Sequence, residues 1–379
     1  MTDAWLANAG DGAIALATQR RLRRVAPQAA ILHASYQGDI LSELFPELAM
    51  VPPLAGLLGV TPTIPELQGW EPAEAERIVR AADAVLCQGG GYAMEHYEPW
   101  ERLRAWEAVV ERRIPIGFGA QTVGPFQREA ERAVLAKAYR AAVVIALREG
   151  DSIGNVLALG ARPEQLLVTA DESFGLFPGS GTPASQRRGI ACVVSRDPQL
   201  RADGTLADPD TSVATLARLI SELVRLSDGE GVTMLSTVQG LGRLDRGLED
   251  DADVAAEAVA ALPPAVAADV RTTAGYLSPQ RCADMIAAHR ALVTTRMHPA
   301  IFGVARGVPT VLVSEAYKAT SMFATLGLGH LIVDRFDPDI VAARLSPSPG
   351  GAKPADTAVA RERSGWNDAV VERLLAAVP

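Results

Sequence analysis

A chain of 379 residues is longer than one ordinary domain, so two domains are the default expectation. Its 48% hydrophobic and 21% charged residues are the balance of a globular protein with large cores. A net charge of -9 argues against a nucleic-acid surface, which needs basic patches that release counterions.

The first residues, MTDAWLANAGDG, have no basic start followed by an apolar run, and no apolar stretch reaches the length that spans a bilayer. The expectation is a cytoplasmic chain, with oligomeric state left open. Cys87, Cys192 and Cys282 are widely spaced and form no CxxC pair. That pattern predicts reduced, buried thiols and neither a disulfide nor a metal site.

Short apolar runs recur along the chain with helical patterns between them. In the first half they fall at 30–34 (AILHA), 84–87 (AVLC), 114–119 (IPIGFG), 143–147 (VVIAL) and 166–170 (LLVTA). In the second half they fall at 189–195, 232–236, 269–272, 291–294, 310–314 and 331–334. Amphipathic stretches at 100–112, 128–140, 212–226 and 278–288 lie between them. Alternation of this kind predicts βα units and parallel sheets. The glycine-, proline- and serine-rich segment 175–189 reads as a linker, and 349–356 (PGGAKPAD) as a loop. The expected fold is therefore α/β, with two Rossmann-like parallel-sheet lobes facing a cleft, at 1–176 and 187–345. Residues 346–379 are expected to form a loop and a helix that crosses back to the first lobe.

Candidate site residues gather at the predicted strand ends. Asn8-Ala9-Gly10-Asp11-Gly12 precedes a helix-like run from Ala13, a glycine turn whose backbone N–H groups suit an anion. Asp11 suits a helix cap equally well. Gly89, Gly90 and Gly91 follow the strand at 84–87, and three glycines favour a ligand-facing loop over a simple turn. The segment 119–125 (GAQTVGP), with Gln121, is expected to line the same edge. Arg148 closes the strand at 143–147; it either pairs with Glu149 or Asp171 or binds an anion. No GxGxxG or P-loop occurs.

The densest chemistry is in 294–318, TTRMHPAIFGVARGVPTVLVSEAYK. Arg296 and His298 should sit on a strand-to-helix loop with Pro299 in the first helical turn, and Lys318 ends the next strand-turn element. If extended geometry persists to Pro299, residues 296 and 298 point to one side. An imidazole that titrates near neutrality, set between cations, is an acid/base arrangement for an anionic substrate.

These segments together resemble the polysaccharide pyruvyl transferase family. The matching pieces are the NxGD of Asn8, Gly10 and Asp11, the strand followed by GGG, GAQTVGP, the RExxS from Arg148 to Ser152, and TADESFGL at 169–176. The most specific is RxHxxIF followed by GVP and YK: Arg296, His298, Ile301, Phe302, Gly307, Val308, Pro309, Tyr317 and Lys318. The resemblance implies a GT-B-like fold and transfer of a pyruvyl (carboxyethylidene) group from phosphoenolpyruvate to hydroxyls of a glycan or other sugar-containing acceptor. It implies His298 and Arg296 as catalytic, with Arg148, Arg296, Lys318, Gly89, Gly90, Gly91, Asn8, Asp11 and Gln121 on the donor. Phosphoenolpyruvate would be co-substrate, with no further cofactor and no metal. An acceptor linked to lipid would be met peripherally, without a membrane span. The family's loop often carries an aspartate after the tyrosine, where this chain runs Ser314-Glu315-Ala316-Tyr317-Lys318. Trp70, His96, Tyr97 and Trp100 could stack on a sugar or fill the core. The rival readings are a nucleotide-sugar glycosyltransferase, a non-catalytic sugar- or anion-binding member, and a tailoring enzyme for a small natural product.

Overall fold

A computed structural model describes residues 8–35, 38–54, 72–95, 100–177, 182–197, 199–201, 203–207, 211–239, 250–273, 275–345 and 353–378. Trp70, His96 and Tyr97 lie outside the described residues, as do 178–181 of the expected linker and 349–352 of the expected loop. The fold is mixed α/β with parallel sheets. The chain divides into two compact units, one of Ile14–Glu172 with Arg361–Pro379 and one of Ala7–Ala13 with Ser173–Ala360.

In the first unit the strands are β1 (His33–Ala34), β2 (Met50–Val51), β3 (Val85–Cys87), β4 (Gly90–Ala93), β5 (Ile116–Val123), β6 (Val144–Leu147) and β7 (Leu166–Val168). β1 and β2 form a small parallel pair. The main sheet runs β3-β5-β6-β7, with β4 also paired to β5. β3 and β4 lie along the same neighbour, Val85 to Cys87 opposite Ile116 to Phe118 and Gly90 opposite Gln121. They behave as one strand interrupted at Gln88-Gly89. The expected glycine loops are thus corrected: Gly90 and Gly91 are strand residues, and β5 runs past Gly119 to Val123. All eight residues of β5 are buried, the signature of a central parallel strand.

The core of this unit centres on Phe118, whose ring meets Trp106 and Tyr139 edge-on, each with centroids 4.9 Å apart. The helix Asp368–Ala376 packs Val370 with Val144 and Ala146, and Gly117 leaves the room that Leu374 occupies. Asn367 donates from Nδ2 to the Ala170 carbonyl at 2.9 Å.

In the second unit the strands are β8 (Ile190–Val193), β9 (Gln199–Leu200), β10 (Leu206–Ala207), β11 (Val232–Met234), β12 (Val270–Thr272), β13 (Ala291–Thr294), β14 (Thr310–Val313) and β15 (Ile332–Val333). β9 and β10 make an antiparallel pair. The six-stranded parallel sheet is ordered β12-β11-β8-β13-β14-β15. Counted in chain order that is 3-2-1-4-5-6, the doubly wound arrangement whose order reverses between its first and fourth strands. The reversal lies between β8 and β13, and the carboxyl ends of strands at such a reversal are where sheets of this kind bind ligands. The helices obey their sequence pattern. Ser212 caps Val213–Leu226 by accepting from the Thr215 N–H at 3.3 Å, and Leu216, Leu219, Ile220 and Leu223 form its buried face.

Two buried carboxylates in the first unit should make its stability depend on pH. Burial pushes Glu149 from its ordinary 4.5 up to about 7, against the opposing pull of Arg148 and of hydrogen bonds from Ser152 and Thr122. Burial likewise raises Glu172 to about 7, against Arg21. A carboxyl raised on folding binds more protons in the native than in the unfolded state between pH 4.5 and about 7, so stability falls as pH rises through that window. Thermal unfolding midpoints should drop between pH 5 and pH 8, and by less in Glu149→Gln. An equal drop in the variant would remove Glu149 as a cause.

Candidate functional site

The helix Met297–Ala305 starts directly after β13 and its loop. Arg296 is its N-cap at φ -98°, ψ 133°, and His298 is its second residue. Extended geometry therefore stops at Arg296, before the expected limit at Pro299. Thr294 helps to turn the chain, since its Oγ1 accepts from the Arg296 N–H at 2.9 Å and donates to the Arg296 carbonyl at 3.0 Å. Nearly every other residue of this helix is buried, as a helix apolar all round requires. Gly303 brings it close to the sheet, because an added Cβ would stand 2.5 Å from Thr310 Oγ1. At the far end Arg187 donates from Nη2 to the Arg306 carbonyl at 2.9 Å. His298 is thus mounted on a rigid element.

Arg296 is only 15% exposed, and its charge is compensated on two sides. Nε and Nη2 donate to Asp251 Oδ1 at 2.9 and 2.6 Å, and Nη1 donates to Asp197. Burial pulls its pKa down, but Asp251 and Asp197 outweigh that and leave it above its ordinary value. Asp251 in turn accepts on Oδ2 from the Thr237 N–H and Oγ1, each at 2.9 Å, and from the Val238 N–H at 3.0 Å. Asp251 and Asp197 were absent from the sequence-based candidates. The one local signal for Asp251 is its place in an acidic first turn after the N-cap Asp250, an ordinary surface-helix pattern.

The same knot holds the N-terminal motif. Asn8 bridges to Val238, and the Ala9 N–H donates to the Thr237 carbonyl at 2.8 Å. Asn8 Oδ1 accepts from the Gly10 N–H at 2.8 Å, so Asn8 is the cap and the helix Ala9–Val25 begins four residues ahead of the expected Ala13. Asp11, 9% exposed, lies in the first turn, where a carboxylate favours the macrodipole. Gly10 packs against the His298 imidazole so closely that an added Cβ would stand 2.0 Å from Nδ1.

A sequence model of the polysaccharide pyruvyl transferase family matches residues 8–317. The chain belongs to that family. No curated protein matches it significantly. Solved structures with the same GT-B-like fold include UDP-GlcNAc 2-epimerase from Neisseria meningitidis bound to UDP-GlcNAc, at 10% identity, TM-score 0.58 and 96% of each chain covered. They also include S. aureus MnaA with UDP, at 12% identity, TM-score 0.58 and 97% and 95% covered. Anabaena HepE in complex with UDP aligns at 12% identity and TM-score 0.56, over 96% and 94%. At such identities the likeness is one of fold.

The other pyruvyl transferase motifs have structural partners of their own. Arg148, fully buried in the first unit, takes the pairing alternative: Nη1 donates to Asp171 at 2.8 Å and Nε to Thr122 Oγ1 at 2.7 Å. Its RExxS neighbours join the same network, Glu149 accepting from Ser152 and, at 3.0 Å, from Thr122. Gln121 is also fully buried; it donates to the Gln88 carbonyl and accepts from Tyr139, both at 3.3 Å. A Cβ on Gly89 would lie 2.7 Å from the Ala120 carbonyl oxygen, so backbone approach accounts for this glycine. Gly91 is half-buried in β4. Lys318 is the second residue of the helix Tyr317–Thr325 and half-buried, while Glu315 pairs with Arg201 at 2.8 Å. Trp100 is 44% exposed at the start of its helix. Among the described residues no group of three or more His, Cys, Asp or Glu could hold a metal ion, and no helix is long and apolar enough to cross a membrane.

Gly10→Ala reports on this packing. In an open helix interior the change adds about 0.5–1 kcal/mol. Here it should destabilise by roughly 1–3 kcal/mol through overpacking on His298. In a His298→Gly background, which also removes the His298 Cβ that would stand 2.6 Å from the added one, it should become neutral or stabilising. Thermal unfolding of the four-member cycle measures the coupling, and a stabilising Gly10→Ala in the wild-type background would refute the packing.

Proposed function

We propose that this member of the family transfers a pyruvyl group from phosphoenolpyruvate to two hydroxyls of a polysaccharide or polysaccharide precursor. The observation that carries the reading is the junction of two motifs from opposite ends of the sequence, Asn8-Gly10-Asp11 and Arg296-His298, at the carboxyl edge of β13 beside the reversal point of its sheet.

The chemistry suits the residues gathered there. Proton transfer to the enol carbon of the donor creates an oxocarbenium-like centre, which an acceptor hydroxyl attacks as it gives up its proton. Phosphate then leaves, and a second hydroxyl closes the ketal. His298 is the group assigned to the proton steps, held in place by Gly10 and by its rigid helix. Arg296 and Lys318 are assigned to the donor's anionic groups, since guanidinium and ammonium groups recognise carboxylate and phosphate. Arg148 and Gln121 act in this reading through the first unit's polar core. Burial of both, and Arg148's pair with Asp171, support that division.

A nucleotide-sugar reading is kept because the three similar structures carry UDP or a UDP-sugar. Incubation with phosphoenolpyruvate and an array of glycans and lipid- or nucleotide-linked sugars should release phosphate and give products heavier by one pyruvate less one water. His298→Ala should abolish that turnover, by about 10²–10⁴-fold or more for a lost acid/base group, with an unchanged unfolding profile. Stabilisation by UDP-sugars and not by phosphoenolpyruvate, without phosphate release, would replace this reading with the other.

A further inference from the structure

We infer that Asp197 is an internal occupant of the anion subsite on Arg296, and that an anionic ligand binds there by displacing its carboxylate. The inference rests on the proposed donor site and names the residue that sets its affinity. Asp197 follows β8 and Arg296 follows β13, the strands flanking the reversal point. The two loops are fastened together by the Ser195 N–H, which donates to Thr295 Oγ1 at 2.9 Å.

The two aspartates on Arg296 are unequal. Asp251 is 1% exposed and takes three hydrogen bonds from Thr237 and Val238 besides those from the guanidinium. Removing it would leave the mostly buried cation with only its exposed partner, which marks Asp251 as the permanent one. The Asp197 side chain is 43% exposed, and Arg296 Nη1 is the donor to it among the described residues. Its backbone, held by a 3.0 Å bond from its N–H to Ser195 Oγ, can stay in place while the carboxylate swings to water. Charge gives the second reason. One guanidinium against two carboxylates leaves the trio with a single net negative charge, so an incoming phosphate or carboxylate is repelled until one aspartate withdraws. Nη1 is the nitrogen outside the Asp251 pair, and it is the one a ligand would take over.

The test is calorimetric titration of the full chain with phosphoenolpyruvate and, separately, with inorganic phosphate. Asp197→Asn keeps the size of the side chain and removes the competing charge. It should bind both probes about two- to fivefold more tightly, as expected when a partly exposed ion pair no longer competes. Glu222→Gln, the same charge change on a helix surface, should leave both affinities as in the wild type. If wild type binds phosphoenolpyruvate and Asp197→Asn binds it equally or more weakly, or if Glu222→Gln gives the same gain, the displacement is wrong and the pyruvyl reading stands. A gain for phosphate with no phosphoenolpyruvate binding by either form keeps the anion subsite and overturns the pyruvyl reading. Binding of neither probe by either form overturns both.

Discussion

The second unit is organised around the cost of burying one guanidinium. Arg296 sits where the sheet order reverses, almost out of water, and a lone cation there would be far less stable than in solution. Asp251 compensates it and is itself satisfied by Thr237 and Val238. Those same residues dock the N-terminal segment through the Asn8 bridge and the Ala9 N–H. The residues that satisfy Asp251 thus also hold the segment from Asn8 beside the imidazole, and Gly10 leaves the His298 side chain room to lie against it. A structural demand and a chemical opportunity coincide at one strand edge.

The first unit solves the same problem with a different outcome. Arg148 is more deeply buried, and its partners Asp171 and Thr122 are interior too, so its Nη1 and Nε help to hold β5, β6 and the segment after β7 together. Arg21 extends that pattern, joining Glu172 at 2.8 Å and the Ser364 carbonyl at 2.8 Å. Two arginines drawn from motifs of one family thus differ in kind. Arg148 has interior carboxylate and hydroxyl partners, whereas one of the two carboxylates on Arg296, that of Asp197, is exposed.

Much of the fold was legible in the residues. The apolar runs at 84–87, 143–147, 189–195 and 291–294 contain β3, β6, β8 and β13 because short apolar segments flanked by helical periodicity have few other ways to bury themselves. The glycines misled for a physical reason. Gly89 and Gly119 look like loop residues, but Gly89 makes room for the backbone of Ala120 and Gly119 for that of Gly89, and only the neighbouring segment shows that. The short strands β2, β4, β9 and β10 carry too few residues for any period to register.

For the candidate site the division is similar. The sequence by itself determined which groups could do chemistry, Arg296, His298 and Lys318 following strands or opening helices, since capping and strand-end placement are local properties. It also determined membership of a family, since motif order survives in the linear chain. Tertiary structure alone decided that Gly10 lies against His298, that Asp251 and Asp197 divide the charge of Arg296, and that Arg148 pairs with Asp171. Each of those outcomes is a through-space pairing between residues far apart in sequence. The strength of such a pairing depends on burial and distance, which the order of residues does not contain.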